Sequence, residues 1–273
     1  MKIYAPAKVN LSLDVVKEIE GGYHDLDMIM APISLYNEIQ VHPAETTYIR
    51  CQNVDLPQNN AMTKMLKLLK EKYDIGNYSV EIQEEIPMQA GLAGASANAA
   101  AVLRAVDQYE NLHLSQEEMI QLGVQVGADV PFCLVNRMSR VKGIGEKIEP
   151  MHTHWRFPAL LIKPEEGVST PAAFDQWNKM PATHPNMDAI QATLEQKDLK
   201  QFTHLMGNSL EAAAMELVPI LKEIHKDMDA FGLRSLMTGS GSTIMGFGAK
   251  EHIEEAYAQY KDKYPFVQIV TIG

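Results

Sequence analysis

The sequence is short of cysteine, of positive charge and of long apolar runs, and each shortage removes a class of function. Its 273 residues include only two cysteines, Cys51 and Cys133. They form no C-x-x-C pair and no metal-ligand spacing, so reduced thiols in a cytoplasmic protein are expected. Lys and Arg number 24 against 35 Asp and Glu, a formal charge of −11. A nucleic-acid surface needs a clustered basic face, so no nucleic-acid partner is expected. No apolar run reaches the ~18 residues of a membrane span, and the start, Met1-Lys2-Ile3-Tyr4-Ala5-Pro6, lacks the apolar stretch of a secretion signal. No membrane partner is expected either. Internal repeats and low-complexity tracts are missing, as are a Walker A loop and a dinucleotide-binding glycine fingerprint. His152 and His154 share a strand face without a third ligand, which argues against zinc. What remains is an ordinary globular composition, 46% hydrophobic and 22% charged, long enough for one large or two ordinary domains.

Hydrophobic period sketches the elements. Val9, Leu11, Leu13 and Val15 alternate with polar partners as in a half-buried strand, and Gly21-Gly22 marks a turn. Ile39 and Val41, then Tyr48 and Ile49, suggest short strands split by Pro43. Met62, Met65, Leu66 and Leu69 make a helical stripe with Asn59 or Asn60 as N-cap. Val80 and Ile82 predict a strand, and the alanine-rich run after Asn98 predicts a helix. Ser115 to Glu118 reads as a capping box opening a helix that ends near Gly127. Gly143-Ile-Gly145 reads as a turn and 159–162 as a buried strand. Helices are expected near 186–195, 209–229 and 251–262, with strands at 243–247 and 267–272. Without a regular βαβ period this is an α+β chain, with a boundary near 150 separating residues 1–150 from 151–273.

Four features could carry chemistry. Pro87-Met-Gln-Ala-Gly91-Leu-Ala-Gly94-Ala-Ser96-Ala97-Asn98 puts small residues at the start of a helix. There, free amides and the helix dipole suit phosphate, so even an acidic protein can hold an anion. A tight strand-to-helix turn is the plainer alternative. Thr238-Gly-Ser-Gly-Ser-Thr243 is either a substrate-contacting loop or a hairpin connection. Asp129, in Gly127-Ala-Asp-Val-Pro-Phe132, is either a turn residue or an acid–base group. Lys8 is either a solvated edge lysine or a partner for such an aspartate, where it would stabilise a developing alkoxide.

Taken together and in order, these segments resemble the GHMP kinase superfamily. The elements are A-P-A-K-V-N at 5–10, G-G-Y-H at 21–24, the small-residue loop at 87–100, G-A-D-V-P-F at 127–132, K-G-I-G-E at 142–146, V-S-T at 168–170 and G-S-G-S-T at 239–243. The G-G-Y-H, K-x-N and G-A-D-V-P-F elements are similar to the branch acting on 4-diphosphocytidyl-2-C-methyl-D-erythritol in non-mevalonate isoprenoid synthesis. The resemblance implies a two-domain fold, with an N-terminal phosphate-loop domain and a C-terminal domain closing over substrate. It implies ATP and Mg²⁺, a cytidyl-diphosphate alcohol as acceptor and phosphorylation of its 2-hydroxyl; a monomer or homodimer is expected. Residue by residue, Asp129 matches the catalytic base and Lys8 its partner. Gly91, Leu92, Ala93, Gly94, Ala95, Ser96 and Ala97 match the nucleotide loop, and Asn60 and Lys64 the adenosine side. Ser96 is also the expected Mg²⁺ link. Asn10, Tyr23, His24, Thr170, Gly239 and Ser240 match the substrate side, with the cytosine stacked on Tyr23 and bonded at its edge by His24.

The sequence departs from the usual G-L-G-G-G-S-S-[DN] loop. Ala95 replaces a glycine where the backbone is expected to approach phosphate or take positive φ, and Ala97 removes a hydroxyl. Asn136-Arg137 stands where the family has Gly-Gly, and Arg137 would either add a phosphate contact or block one. These departures keep two other readings open: a family member acting on a different alcohol, and a nucleotide-binding module without kinase activity.

Overall fold

The alternation seen from Val9 to Val15 belongs to a long strand, β1 (Lys2–Glu18), which the Gly21-Gly22 turn separates from a longer one, β2 (His24–Ala44). The computed structural model describes residues 1–53 and 55–273. After β2 come β3 (Tyr48–Cys51), α1 (Ala61–Lys72), β4 (Asn77–Gln83), α2 (Gly94–Glu110), α3 (Gln116–Val126) and α4 (Val130–Val135). Then follow β5 (Ser139–Gly143), β6 (Lys147–Pro150), β7 (Phe157–Lys163), α5 (Thr170–Trp177), α6 (Met187–Glu195), α7 (Leu199–Leu205), α8 (Glu211–Leu217) and α9 (Ile220–Ala230). The chain ends with β8 (Arg234–Met237), β9 (Ile244–Phe247), α10 (Lys250–Tyr260) and β10 (Phe266–Ile272). Helices and largely antiparallel strands mix as an α+β chain should.

The chain makes two compact units, neither continuous in sequence. One comprises Met1–Ala7, Leu35–Pro87 and Ala93–Asn136; the other comprises Lys8–Ser34, Met88–Leu92 and Arg137–Gly273. In the first, the end of β2 pairs antiparallel with β4, Val41 opposite Val80, and β3 adds to β4 in parallel. Met62, Met65, Leu66 and Leu69 of α1 share a core with Val102, Leu103 and Val106 of α2 and with Ile39, Val41, Val80 and Ile82 of the sheet. Each such side chain contributes roughly 1.5–3 kcal/mol on burial. The helix starts are those the sequence signals. Asn60 Oδ1 accepts from the Met62 and Thr63 amides, and Ser115 with Glu118 closes a reciprocal capping box.

In the second unit β10 runs antiparallel to β7, from Phe266 opposite Lys163 to Ile272 opposite Phe157. β7 pairs β9 and β9 pairs β8, which ends the sheet. The beginning of β2 pairs β5, which pairs β6.

Two expectations are corrected. The two strands expected on either side of Pro43 are present, but Pro43 itself lies inside β2, which is long, and the break comes after Ala44. The Val41 N–H points at the Met1 carbonyl, so the Pro43 nitrogen faces the same side beyond the start of β1, where no ladder bond is lost. The helix expected over 209–229 is two helices, because Pro219 cannot continue α8 and instead opens α9. Among the described residues no helix is long and apolar enough to cross a membrane.

Candidate active site

In the unit containing Lys8, the two-residue period of β1 puts Lys8 and Asn10 on one face. Both are buried, at 4% and 1% exposure, so Lys8 is not a solvated edge residue. Its Nζ donates to Asn10 Oδ1 at 2.6 Å. Asn10 is held in turn: its backbone N–H donates to Thr238 Oγ1 at 2.8 Å and its Nδ2 points at Met28 Sδ at 3.2 Å. Burying an ammonium is costly unless it is hydrogen-bonded, and a fixed Asn10 oxygen supplies that bond.

The second glycine cluster is the β8–β9 connection. The Thr238 N–H donates to the Thr243 carbonyl and the Gly241 N–H to the Thr238 carbonyl, each at 3.0 Å. Gly239 and Gly241 take φ of +59° and +93°, which glycine adopts without a Cβ penalty. Thr170 Oγ1 lies 2.8 Å from Ser240 Oγ, so two expected substrate residues meet. Residues 88–92 are stitched to the same region: the Leu92 carbonyl accepts from the Lys8 N–H and the Ala90 carbonyl from the Thr243 N–H. At Gly91, with φ +75°, any Cβ would collide with the Thr238 carbonyl oxygen.

Tyr23 and His24 face different surroundings. Tyr23 is 63% exposed, whereas His24 is 8% exposed. The His24 ring stacks on Phe174 at 4.3 Å and 21°, meets Trp177 edge-on at 5.8 Å, and places Nε2 3.3 Å from Asn178 Oδ1. An exposed phenol next to a packed aromatic group suits a flat ring ligand. Phe174 and Trp177 on α5 are missed by sequence reasoning, because nothing in the spacing ties them to His24. Arg137 is exposed and donates toward the Met151 carbonyl at 3.4 Å.

In the other unit Ala93 is the N-cap of α2, in the left-handed region at φ 58°, ψ 32°, with no side-chain cap. The Ala97 N–H bonds the Ala93 carbonyl at 2.9 Å. The amides of Gly94, Ala95 and Ser96 precede it at the positive end of the helix dipole, an arrangement that suits an anion. Ala95 is exposed, Ser96 half-buried and Ala97 buried. The torsional part of the expectation for Ala95 is corrected: Ala95 is helical, and the alanine of this loop with positive φ is Ala93. Below this turn, Asn98 Nδ2 donates to Glu84 Oε2 at 3.1 Å, and Asn37 Nδ2 to Asn98 Oδ1 at 2.9 Å. Burial pushes the Glu84 carboxyl above its ordinary range, against the opposing pull of its bonds with Asn37 and Asn98.

Asp129 stands at the N-cap of α4 with φ −87°, half-buried and making no capping bond to that helix. A Cβ at Gly127 would lie 3.7 Å from Ser96 Oγ, so the Ser96 hydroxyl borders the turn leading to Asp129. Asn60 caps α1 and donates to the Pro57 carbonyl, so both ends of its amide are engaged; Lys64 is exposed one turn on.

Comparison with known proteins decides the family. The GHMP kinase N-terminal domain model matches residues 60–137 and the GHMP kinase C-terminal model residues 188–265. A 4-diphosphocytidyl-2-C-methyl-D-erythritol kinase of Clostridium tetani is 37% identical, over 98% of this chain and 99% of its own. One of Thermoanaerobacter pseudethanolicus is 35% identical, over 98% of this chain and 94% of its own. The chain belongs to the GHMP kinase family. The crystal structure of a 4-(cytidine 5'-diphospho)-2C-methyl-D-erythritol kinase superposes with a TM-score of 0.83 at 31% identity, covering 100% of this chain and 99% of that one. The fold is thus the two-domain GHMP kinase fold, and the protein is an ATP-dependent small-molecule kinase. Among the described residues no three of His, Cys, Asp and Glu gather as a metal site. The Ser96 hydroxyl in the first turn of α2 is an oxygen donor of the kind Mg²⁺ accepts.

Proposed function

We propose that the protein transfers the γ-phosphoryl group of ATP to the 2-hydroxyl of 4-diphosphocytidyl-2-C-methyl-D-erythritol, a step toward isoprenoid precursors. The near full-length identity to relatives of that name carries the substrate assignment. The loop, Lys8 and Asp129 within residues 1–150 serve ATP and the chemistry, and residues 151–273 contribute to the substrate side; this division by sequence differs from the two discontinuous units, which group Lys8 with Arg137–Gly273. The amides at 94–96 hold the phosphates, with Gly91, Leu92, Ala93 and Ala97 shaping that turn and Asn60 and Lys64 on the adenosine side. Asp129 takes the proton of the acceptor hydroxyl as its oxygen bonds to the γ-phosphorus and the bond to ADP breaks. The Lys8 ammonium, oriented by Asn10, offsets the charge that develops on that oxygen. Tyr23 and His24 receive the cytosine, with Phe174 behind the His24 ring, while Thr170, Gly239 and Ser240 hold the rest of the acceptor. Mg²⁺, bound through the phosphates and Ser96, would neutralise phosphate charge.

The experiment is ADP release with this acceptor against homoserine, mevalonate and galactose. Turnover of the cytidyl substrate alone is expected. Turnover of another alcohol instead would move the protein to a different branch, and ATP binding without any turnover would make it a nucleotide-binding module. Asp129→Asn should lower kcat by about 10²–10⁴-fold with ATP binding nearly intact; surviving activity would remove Asp129 as the base.

A further inference from the structure

β8 ends its sheet, yet the outward groups of its last residue are not left to water. The Thr238–Thr243 pair bonds inward toward β9, so the Met237 N–H and carbonyl point the other way, off the sheet edge. Two side chains meet them. Asn208 Nδ2 donates to the Met237 carbonyl and to the Gly239 carbonyl, each at 2.8 Å, and Glu211 Oε1 accepts from the Met237 N–H at 2.6 Å. Asn208 Oδ1 accepts from the Leu210 N–H at 2.9 Å, which fixes the orientation of the amide. Asn208 is 8% exposed and sits beside Leu13 of β1 through a parallel bridge. Together the two side chains take the place of a missing neighbouring strand, and Asn208 spans both carbonyls that flank Thr238. Thr238 is the residue whose hydroxyl holds the Asn10 backbone and whose carbonyl abuts Gly91.

We propose that Asn208, supported by Glu211, is a positioning residue for the acceptor side of the reaction: it sets the 237–241 backbone and, through Thr238, the placement of Asn10 and Lys8. This rests on the acceptor roles given above to Gly239, Ser240 and Asn10. Among side chains of this shape only the amide nitrogen carries two N–H groups to give to the two carbonyls, so shape alone does not suffice.

Asn208→Asp keeps the shape and replaces the donor pair by an oxygen facing two carbonyl oxygens. At pH 8 its KM for the acceptor should rise about tenfold or more, with KM for ATP little changed. Lowering the pH protonates the new carboxyl and restores one donor, so its kcat/KM should recover relative to the parent toward pH 6. Asn208→Ala should raise the acceptor KM at every pH without that recovery. Amide hydrogen exchange over 237–243 is read in the same variants and should speed up in both at pH 8. An Asp variant with the parent's KM and exchange, or a loss in Asn208→Ala spread equally over both substrates, overturns the proposal. If the parent phosphorylates no alcohol the function fails first, and the exchange alone decides: unchanged protection at 237–243 sinks the clamp, faster exchange keeps it.

Discussion

Two small-residue loops carry the proposed chemistry, and they meet left-handed backbone in opposite ways. The 238–243 connection spends glycine where φ is positive, at Gly239 and Gly241, and its edge is held by side-chain amide and carboxylate bonds. The segment entering α2 places an alanine, Ala93, at φ 58°, where a Cβ costs roughly 1–2 kcal/mol, and keeps its glycine at Gly94, in the helix. The difference teaches that a glycine in a phosphate-type loop can serve two needs. At Gly94 the need is space: a Cβ would come within 3.1 Å of Ile86 and 3.2 Å of Glu84. At Ala93 it is torsion, and the chain carries the strain.

Substitutions should break the comparison most where space and torsion coincide. Gly91 has both, with φ +75° and the Thr238 carbonyl in the way of any Cβ. Gly91→Ala is expected to lose roughly 3 kcal/mol in urea unfolding, because backbone cannot yield as a flexible side chain can. A loss below about 1 kcal/mol would mean the two segments are not locked together.

At Gly239 the torsion is the larger part. A Cβ there would lie 3.3 Å from the Gly91 carbonyl and 3.4 Å from Asn10 Oδ1, tight but bearable. Gly239→Ala should therefore cost about 1–2 kcal/mol, and the measurement is again equilibrium unfolding. Ala93→Gly is the converse. It relieves the left-handed strain while loosening the unfolded chain, so a net gain of about 0.5–1 kcal/mol is expected. A destabilised Ala93→Gly protein would show that Ala93 is held by packing rather than strained.

Sequence reading reached whatever is local. Asn60, Ser115 and Glu118 announce helix starts within three residues, and the α1 stripe from Met62 to Leu69 is periodic over about two turns. Strand alternation puts Lys8 and Asn10 on one face, but it marks that face as the polar one, and the burial of both residues is not legible in it. The short elements α7, β5, β6 and β8 offer too few periods to register. Pro43 looks like a break until its unpaired side is known. Asn208 and Phe174 act on partners far along the chain, at Met237 and His24, and no spacing rule joins them. Ala93 escaped because a motif records where glycine usually stands, whereas torsion depends on where the helix actually begins.

The smallest effect separates the two loops by what they rest on. The first turn of α2 lies over Glu84, whose carboxyl is raised above its ordinary range chiefly by burial, with the bonds from Asn37 and Asn98 pulling the other way. A folded-state pKa above the unfolded value means that the folded protein holds the proton more tightly. Its stabilising share is then complete below the ordinary carboxylate range and is lost as pH rises through the folded value. Glu84→Gln keeps an acceptor for Asn98 and removes the titration. Unfolding free energies from pH 4 to pH 7 should show the parent losing stability relative to the Gln variant across the carboxylate range, with the gap level above it. Partial exposure of Glu84 keeps that gap small. Were the parent to gain on the variant as pH rises, the helix dipole and the two asparagines would outweigh burial, and the N-terminal turn of α2 would rest on a favourable charge instead of a tolerated one.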